Sequence, residues 1–199
     1  MNTSFKKWFL KYRMIVVREM INTIGINGNE IILDLGTGSG FVAINFAKKL
    51  VKGKIYGVDR YRMSYNSLKE QIINLIKINF FGNTLKNAKE NAILEKVADK
   101  CMFITSDITK SIDFPNETFD VILSSQALYC IPYEKRPSIF NEIHRLLKKN
   151  GKILFFESRL YGNWNMEDIR KYFVDKGYSV KIIHKNFFKN HCMLYGEKP

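Results

Sequence analysis

A doubly wound, mostly parallel α/β sheet is the fold predicted by this 199-residue sequence. Three observations carry the prediction. Short apolar strands alternate with segments of helical periodicity along the chain. The first strand runs into a glycine-rich turn that opens a helix, from Ile31 to Phe41. Carboxylates or serines stand at successive strand ends: Asp34, Asp59, Asp107, Ser124 with Ser125, and Glu157 with Ser158. In such sheets the strand ends surround a ligand crevice at the point where strand order reverses.

The elements follow in order. Phe5 to Ile24 reads as an amphipathic helix, with Phe5, Trp8, Phe9, Tyr12, Ile15, Val16 and Met20 on one face and Lys6, Lys7, Lys11 and Arg13 at the other positions. Glu30 to Leu35 is the first strand, and a helix runs from Gly40 to about Val51. Lys54 to Asp59 is the second strand, so strand, crossover helix and strand make a parallel βαβ unit. Residues 60–82 form an inserted helical segment, apolar beyond a single stripe. A helix covers Asn83 to Leu94, and Cys101 to Asp107 is the third strand. Phe119 to Ser125 is the fourth strand. A helix capped by Ser138 runs to Lys149, with Lys148 and Lys149 at its C-terminal dipole and Gly151 beyond the cap. Lys152 to Ser158 is the fifth strand and Met166 to Lys176 the last helix. Tyr178 to His184 and His191 to Glu197 close the chain as a hairpin.

The whole chain, 1–199, reads as a single domain: residues 1–28 as a helix covering the site, 60–82 as the insert and 29–199 as the core. Hydrophobic residues make up 46% of it, enough for a core. No apolar run approaches the roughly 20 residues that span a bilayer, so an integral membrane span is not expected. The lysine-studded N-terminus is unlike a secretory signal. Cys101, Cys130 and Cys192 are odd in number and lack C-x-x-C spacing. A reduced, cytoplasmic protein without a metal framework is therefore expected. The net charge of +13 admits RNA or an anionic surface as a partner, although the basic residues are scattered rather than blocked.

The glycine turn, by itself, cradles several kinds of ligand. Gly36, Gly38 and Gly40 give G-x-G-x-G. The nicotinamide fingerprint G-x-G-x-x-G needs its third glycine at position 41, where Phe41 stands. Asp59 lies 19 residues past Gly40, where a carboxylate can accept both hydroxyls of a ribose.

Five motifs in order resemble the class I S-adenosylmethionine (SAM)-dependent methyltransferases over about residues 29–160. They are Leu33-Asp34-Leu35-Gly36-Thr37-Gly38-Ser39-Gly40, Gly57-Val58-Asp59, Thr105-Ser106-Asp107-Ile108, Phe119 to Ser125, and Leu146 to Leu154. The resemblance implies a seven-stranded Rossmann-like sheet, mostly parallel with an antiparallel C-terminal strand. It implies SAM as cofactor, with Asp34 toward the methionyl ammonium, Asp59 on the ribose, Asp107 on the adenine amino group and Ile108 on the adenine face. Gly36, Thr37, Gly38, Gly40, Arg60, Ser106 and Ser124 complete the expected cofactor set.

Methyl transfer from a sulfonium needs alignment and exclusion of water, and a general base only for an acceptor that is protonated. Acceptor-side candidates lie beyond the fourth and fifth strands: Ser124, Gln126, Tyr129, Tyr133, Glu157, Arg159, Tyr161 and Trp164. Ser124-Ser125-Gln126-Ala127 replaces the Asn/Asp-Pro-Pro-aromatic signature of base-amino methylation, and no Pro-Cys dipeptide supports cytosine C5 chemistry. A small organic acceptor is thus preferred. An RNA methyltransferase, a nicotinamide-dependent oxidoreductase and a non-catalytic SAM-binding protein remain the alternatives. The insert either builds the acceptor pocket or makes a homodimer. His144 reads as structural or solvated, and His184 and His191 as remote from the cofactor.

Overall fold

The computed structural model describes residues 3–61, 72, 83–158, 165–184 and 191–199. Most of the predicted insert, 60–82, lies outside the described residues, as do Arg159, Tyr161 and Trp164. The elements are α1 Thr3–Ile24, β1 Ile31–Leu35, α2 Phe41–Ala47, β2 Lys54–Asp59, α3 Leu85–Leu94, β3 Cys101–Thr105 and β4 Phe119–Ser125. Then come two 3-10 turns, Leu128–Cys130 and Tyr133–Lys135, α4 Arg136–Leu146, β5 Leu147–Ser158, α5 Met166–Asp175, β6 Ser179–Ile183 and β7 His191–Glu197.

The seven strands lie in the order β3-β2-β1-β4-β5-β7-β6. β7 runs antiparallel to both β5 and β6, and the pairings among β1 to β5 are parallel. Order reverses between β1 and β4, which places the crevice beyond Leu35 and Ser125. Alternate residues of each strand feed opposite faces. Ile32, Ile55, Val121, Leu154 and Met193 pack with Val16, Val17, Met20, Phe46 and Ala88 of α1, α2 and α3. Leu33, Leu35, Val58, Ile122, Phe155 and Leu194 pack with Ile139, Ile143 and Phe173 of α4 and α5. A sheet covered on both faces explains why its central strands read as continuous apolar runs.

Several predicted boundaries move, each for a local reason. α2 stops at Ala47 rather than Val51, because Val51, Lys52 and Gly53 all turn their N–H groups onto the Gly28 carbonyl, at 2.7, 3.0 and 3.0 Å. β3 stops at Thr105, since Asp107 turns the chain by accepting the Thr109 N–H and hydroxyl at 3.0 and 2.7 Å. α4 begins at Arg136, not Ser138, with Pro137 in its first turn, where a missing N–H has no cost. It ends at Leu146, and 147–151 belong to β5. Lys148 then leaves the helix end to pair with Asp120 at 2.7 Å, while Asp120 also accepts the Ile31 N–H at 2.8 Å. Lys198 brings a further cation to the end of α4, where Arg145 already lies in the last turn, and its ammonium donates to the carbonyls of His144 and Leu147 at 3.0 and 2.7 Å.

Candidate functional site

A cavity of about 780 Å³ opens at the reversal point. Strand ends build one part of its wall: Asp34 of β1 with Gly36, Thr37 and Gly38 beyond it, Asp59 at the end of β2 with Arg60 and Tyr61 beyond it, and Asp107 and Ile108 after β3. The loop after β4 adds Gln126, Ala127 and Tyr129, and β5 adds Phe156. Helix α1 lies along the remainder with Phe9, Tyr12, Arg13, Val16 and Val17.

The glycine turn is shaped by two close approaches. Gly36 has φ +74°, and a Cβ there would meet the Ala127 Cβ at 2.2 Å, so only glycine lets the turn pass beneath the β4 loop. Gly57 pairs with Asp34 across β1 and β2, and a Cβ on it would stand 2.7 Å from the Thr37 hydroxyl. Its bare backbone leaves room for that hydroxyl to donate to Asp34 Oδ2 at 2.7 Å.

Four of the turn's N–H groups are already used. Gly36 and Thr37 donate to the Val58 carbonyl at 2.8 and 3.1 Å, Gly40 to the Thr37 carbonyl at 3.0 Å, and Gly38 to Asp59 Oδ2 at 2.9 Å. Asp34 also takes the Ala43 N–H at the start of α2. The positive end of the helix is therefore met by the chain's own carboxylate. A phosphate brought here finds two acids instead of a nest of donors. The arrangement suits a cation and hydroxyl donors.

Each carboxylate has its own electrostatics. Burial pushes Asp34 up to about 7; the Thr37 hydroxyl and Ala43 N–H oppose this, while the charge of Asp59 adds to it. Asp59 accepts Gly38 on Oδ2 and the Tyr61 N–H on Oδ1 at 3.1 Å, which leaves one acceptor lobe on each oxygen. Burial alone would raise Asp107, but both Thr109 hydrogen bonds and the Arg60 guanidinium hold it below the ordinary carboxylate value. Arg60 Nε stands 3.7 Å from Asp107 Oδ2 and so ties the β2 end to the β3 end.

Among the expected cofactor residues, Asp34, Gly36, Thr37, Gly38, Asp59, Arg60, Asp107 and Ile108 line this cavity, whereas Gly40, Ser106 and Ser124 do not. Of the acceptor-side candidates, Gln126 and Tyr129 line it. Ser124 and Glu157 are buried beneath it. Glu157 Oε1 accepts the Ser124 hydroxyl and the Ala127 and Leu128 N–H groups at 3.2, 3.3 and 3.2 Å, and Oε2 accepts the Tyr129 N–H at 3.4 Å. Its carboxylate shapes the loop from below. Burial raises it to about 7 in spite of those four donors. Tyr133 is exposed.

Residues missed from the sequence come mostly from α1, together with Tyr61 after β2. Tyr61 (φ +44°) and Gln126 (φ +55°) sit at the cavity rim in conformations that non-glycine residues seldom adopt. His191 is not remote. β7 runs antiparallel, so its first residue pairs with Ser158 at the ligand edge of the sheet. The His191 ring stacks on Phe156, with centroids 5.1 Å apart, and its Nδ1 is 3.2 Å from the Tyr12 hydroxyl. His144 meets the Tyr178 hydroxyl at 3.1 Å instead, away from the cavity.

Comparison with known proteins shows what this geometry is similar to. A methyltransferase-domain model matches residues 62–155. The release factor glutamine methyltransferase of Buchnera aphidicola is 28% identical over 181 residues, which cover 89% of this chain and 57% of that protein. A Haemonchus contortus phosphoethanolamine N-methyltransferase 2, solved with SAM, superposes with a TM-score of 0.68 at 17% identity, covering 92% of this chain and 52% of that one. The [4+2]-cyclase SpnF superposes equally well, with a TM-score of 0.68 at 14% identity, covering 92% of this chain and 80% of that one. The chain thus spans just over half the length of the Buchnera protein. Among the described residues, no helix is long and apolar enough to cross a membrane. The domain match over residues 62–155 and the strand order make this chain similar to the S-adenosylmethionine-dependent methyltransferases and give it their fold.

Proposed function

We propose that this chain moves a methyl group from SAM to a small organic acceptor by in-line displacement. The carrying observation is the convergence of Asp34, Asp59 and Asp107 on one cavity, where the N–H groups of Gly36, Thr37, Gly38 and Gly40 are already engaged within the chain. That chemistry suits an ammonium, a ribose diol and an adenine amino group better than the diphosphate of a nicotinamide dinucleotide. SAM, when bound, supplies an electrophilic methyl on a sulfonium. Asp34 takes the methionyl ammonium, Asp59 the two ribose hydroxyls through its remaining acceptor lobes, and Asp107 Oδ2 the adenine amino group beside Ile108. Phe156, Tyr129 and the α1 side chains wall the other part of the cavity and exclude water from the line of attack.

The SpnF likeness requires that turnover be tested apart from binding, because a cyclase has the same fold. Calorimetric titration with S-adenosylhomocysteine should show binding. Tritium from methyl-labelled SAM should then pass to members of a panel of small amines, phenols and carboxylic acids. Binding of NADH without any response to S-adenosylhomocysteine would overturn the reading.

A pH effect follows from Asp34. A cationic group binds its ionised form, so ligand binding must expel the proton held below pH about 7. Affinity for S-adenosylhomocysteine should rise about tenfold between pH 6 and 8 and then level, with nearly one proton released at the acid end. Asp34→Asn should bind more weakly and lose that slope. A wild-type affinity independent of pH would remove Asp34 from the ammonium site.

A further inference from the structure

Helix α1 brings to the cavity a cation that no motif announces. By helical spacing Arg13 belongs to the polar face with Lys11, yet it turns inward and lines the cavity with Phe9, Tyr12 and Val16. Its guanidinium carbon stands 3.9 Å from the centroid of the Phe41 ring and 5.7 Å from that of Phe9. Phe41 is the residue in place of a third glycine, and it opens α2 directly after the turn that follows β1 and its Asp34. Among the described residues Arg13 meets these rings but no carboxylate. Burial lowers its affinity for its proton, to a value of about 10. A guanidinium in that setting keeps a fork of N–H donors open to the cavity, and stacking on an aromatic ring holds the fork in one plane. Arg60, the other cavity arginine, is by contrast directed to Asp107.

We propose that Arg13, laid over Phe41, is a carboxylate-binding residue of this cavity. The assignment rests on the methyltransferase reading. It gives the site opposite charges at Asp34 and Arg13, the pattern that an amino-acid zwitterion requires. The carboxylate comes either from the methionyl end of the cofactor or from an acidic acceptor. It also makes α1 a reader of the ligand as well as a cover, because Val16, Val17 and Met20 of the same helix are locked in the core two turns or less away. A helix anchored in this way presents Arg13 without having to order first.

The test compares S-adenosylhomocysteine with its decarboxylated analogue, which keeps the amine, on wild type, Arg13→Met and Arg13→Lys. The cofactor arm predicts that wild type favours the carboxylated form by at least about tenfold, that Arg13→Met loses the preference, and that Arg13→Lys keeps part of it. The decarboxylated analogue should bind wild type and Arg13→Met within about twofold, which a loss of folding or of helix docking would not allow. If Arg13→Met retains the preference, the acceptor arm applies. Proton-NMR line broadening should then show benzoate binding to the S-adenosylhomocysteine complex of wild type and not of Arg13→Met. A variant that matches wild type in both arms overturns the assignment. A wild type that binds neither nucleoside overturns the methyltransferase reading itself, and the assignment with it.

Discussion

Replacing Asp59 by alanine is expected to raise the dissociation constant for S-adenosylhomocysteine by about 10- to 150-fold, equivalent to about 1.5–3 kcal/mol for hydrogen bonds to a charged acceptor. The structure gives two reasons. The carboxylate is the proposed partner of the ribose diol. It also holds the cavity wall, accepting Gly38 of the glycine turn at 2.9 Å and Tyr61 at 3.1 Å. Alanine removes both supports, so the turn after β1 and the rim after β2 lose their common anchor. Asp59→Asn separates the two roles, since its amide oxygen still accepts one N–H while the charge is gone. It should bind at an intermediate strength. Loss of the Asp59 charge also relieves Asp34 of a repulsion, so the pH at which affinity levels should move downward in both variants. Calorimetric affinities within twofold of wild type for Asp59→Ala would dismiss the ribose assignment.

The second large effect belongs to a residue that does not touch the cavity. Glu157→Ala should lower unfolding stability by about 3–5 kcal/mol, because buried donors lose their acceptor at once. The Ala127, Leu128 and Tyr129 N–H groups and the Ser124 hydroxyl would all be stranded. The same loop supplies Gln126, Ala127 and Tyr129 to the wall, so ligand affinity should fall as well. Glu157→Gln should be mild, about 1 kcal/mol or less, because its carbonyl can take over the three bonds on Oε1 and lose only the longest, 3.4 Å bond on Oε2. Urea unfolding of the two variants decides this. Equal stability of Ala and Gln would show that the loop does not depend on this carboxylate.

Stability should also depend on pH in a particular direction. Burial raises Asp34 and Glu157 from 3.8 and 4.5 to about 7, so the folded state holds more protons than the unfolded chain between those values. Folding is therefore favoured below the unfolded values and weakens as pH climbs toward 7, then levels. The double variant Asp34→Asn, Glu157→Gln should flatten that decline. A stability that rises over the same interval would contradict the burial argument for both acids.

The strand-end carboxylates were legible in the sequence because each is local: a short apolar run, a glycine or a polar turn, and an acid at a fixed offset. The order of such runs was enough for the α/β class, and β2 and β4 have the predicted limits. Boundaries that depend on distant partners were not legible. The α4–β5 junction turns on Lys198, which is more than fifty residues away from His144 and Leu147 in sequence. Helical spacing put Arg13 on the outside, since periodicity counts angles and does not see the Phe41 ring waiting across the crevice. His191 looked remote because distance along the chain hides the antiparallel course of β7.

By itself, then, the sequence determined the glycine turn, the acids that follow it and the class of sheet that gathers them, since those rest on backbone chemistry and short-range pattern. Tertiary structure alone decided what the turn can hold. The N–H groups of Gly36, Thr37, Gly38 and Gly40 are consumed by Val58, Thr37 and Asp59, and the arginine proposed to balance its acids, Arg13, stands eighteen residues before β1 on α1. The physical reason is that hydrogen-bond satisfaction and charge pairing are settled by neighbours in space, which no local pattern specifies.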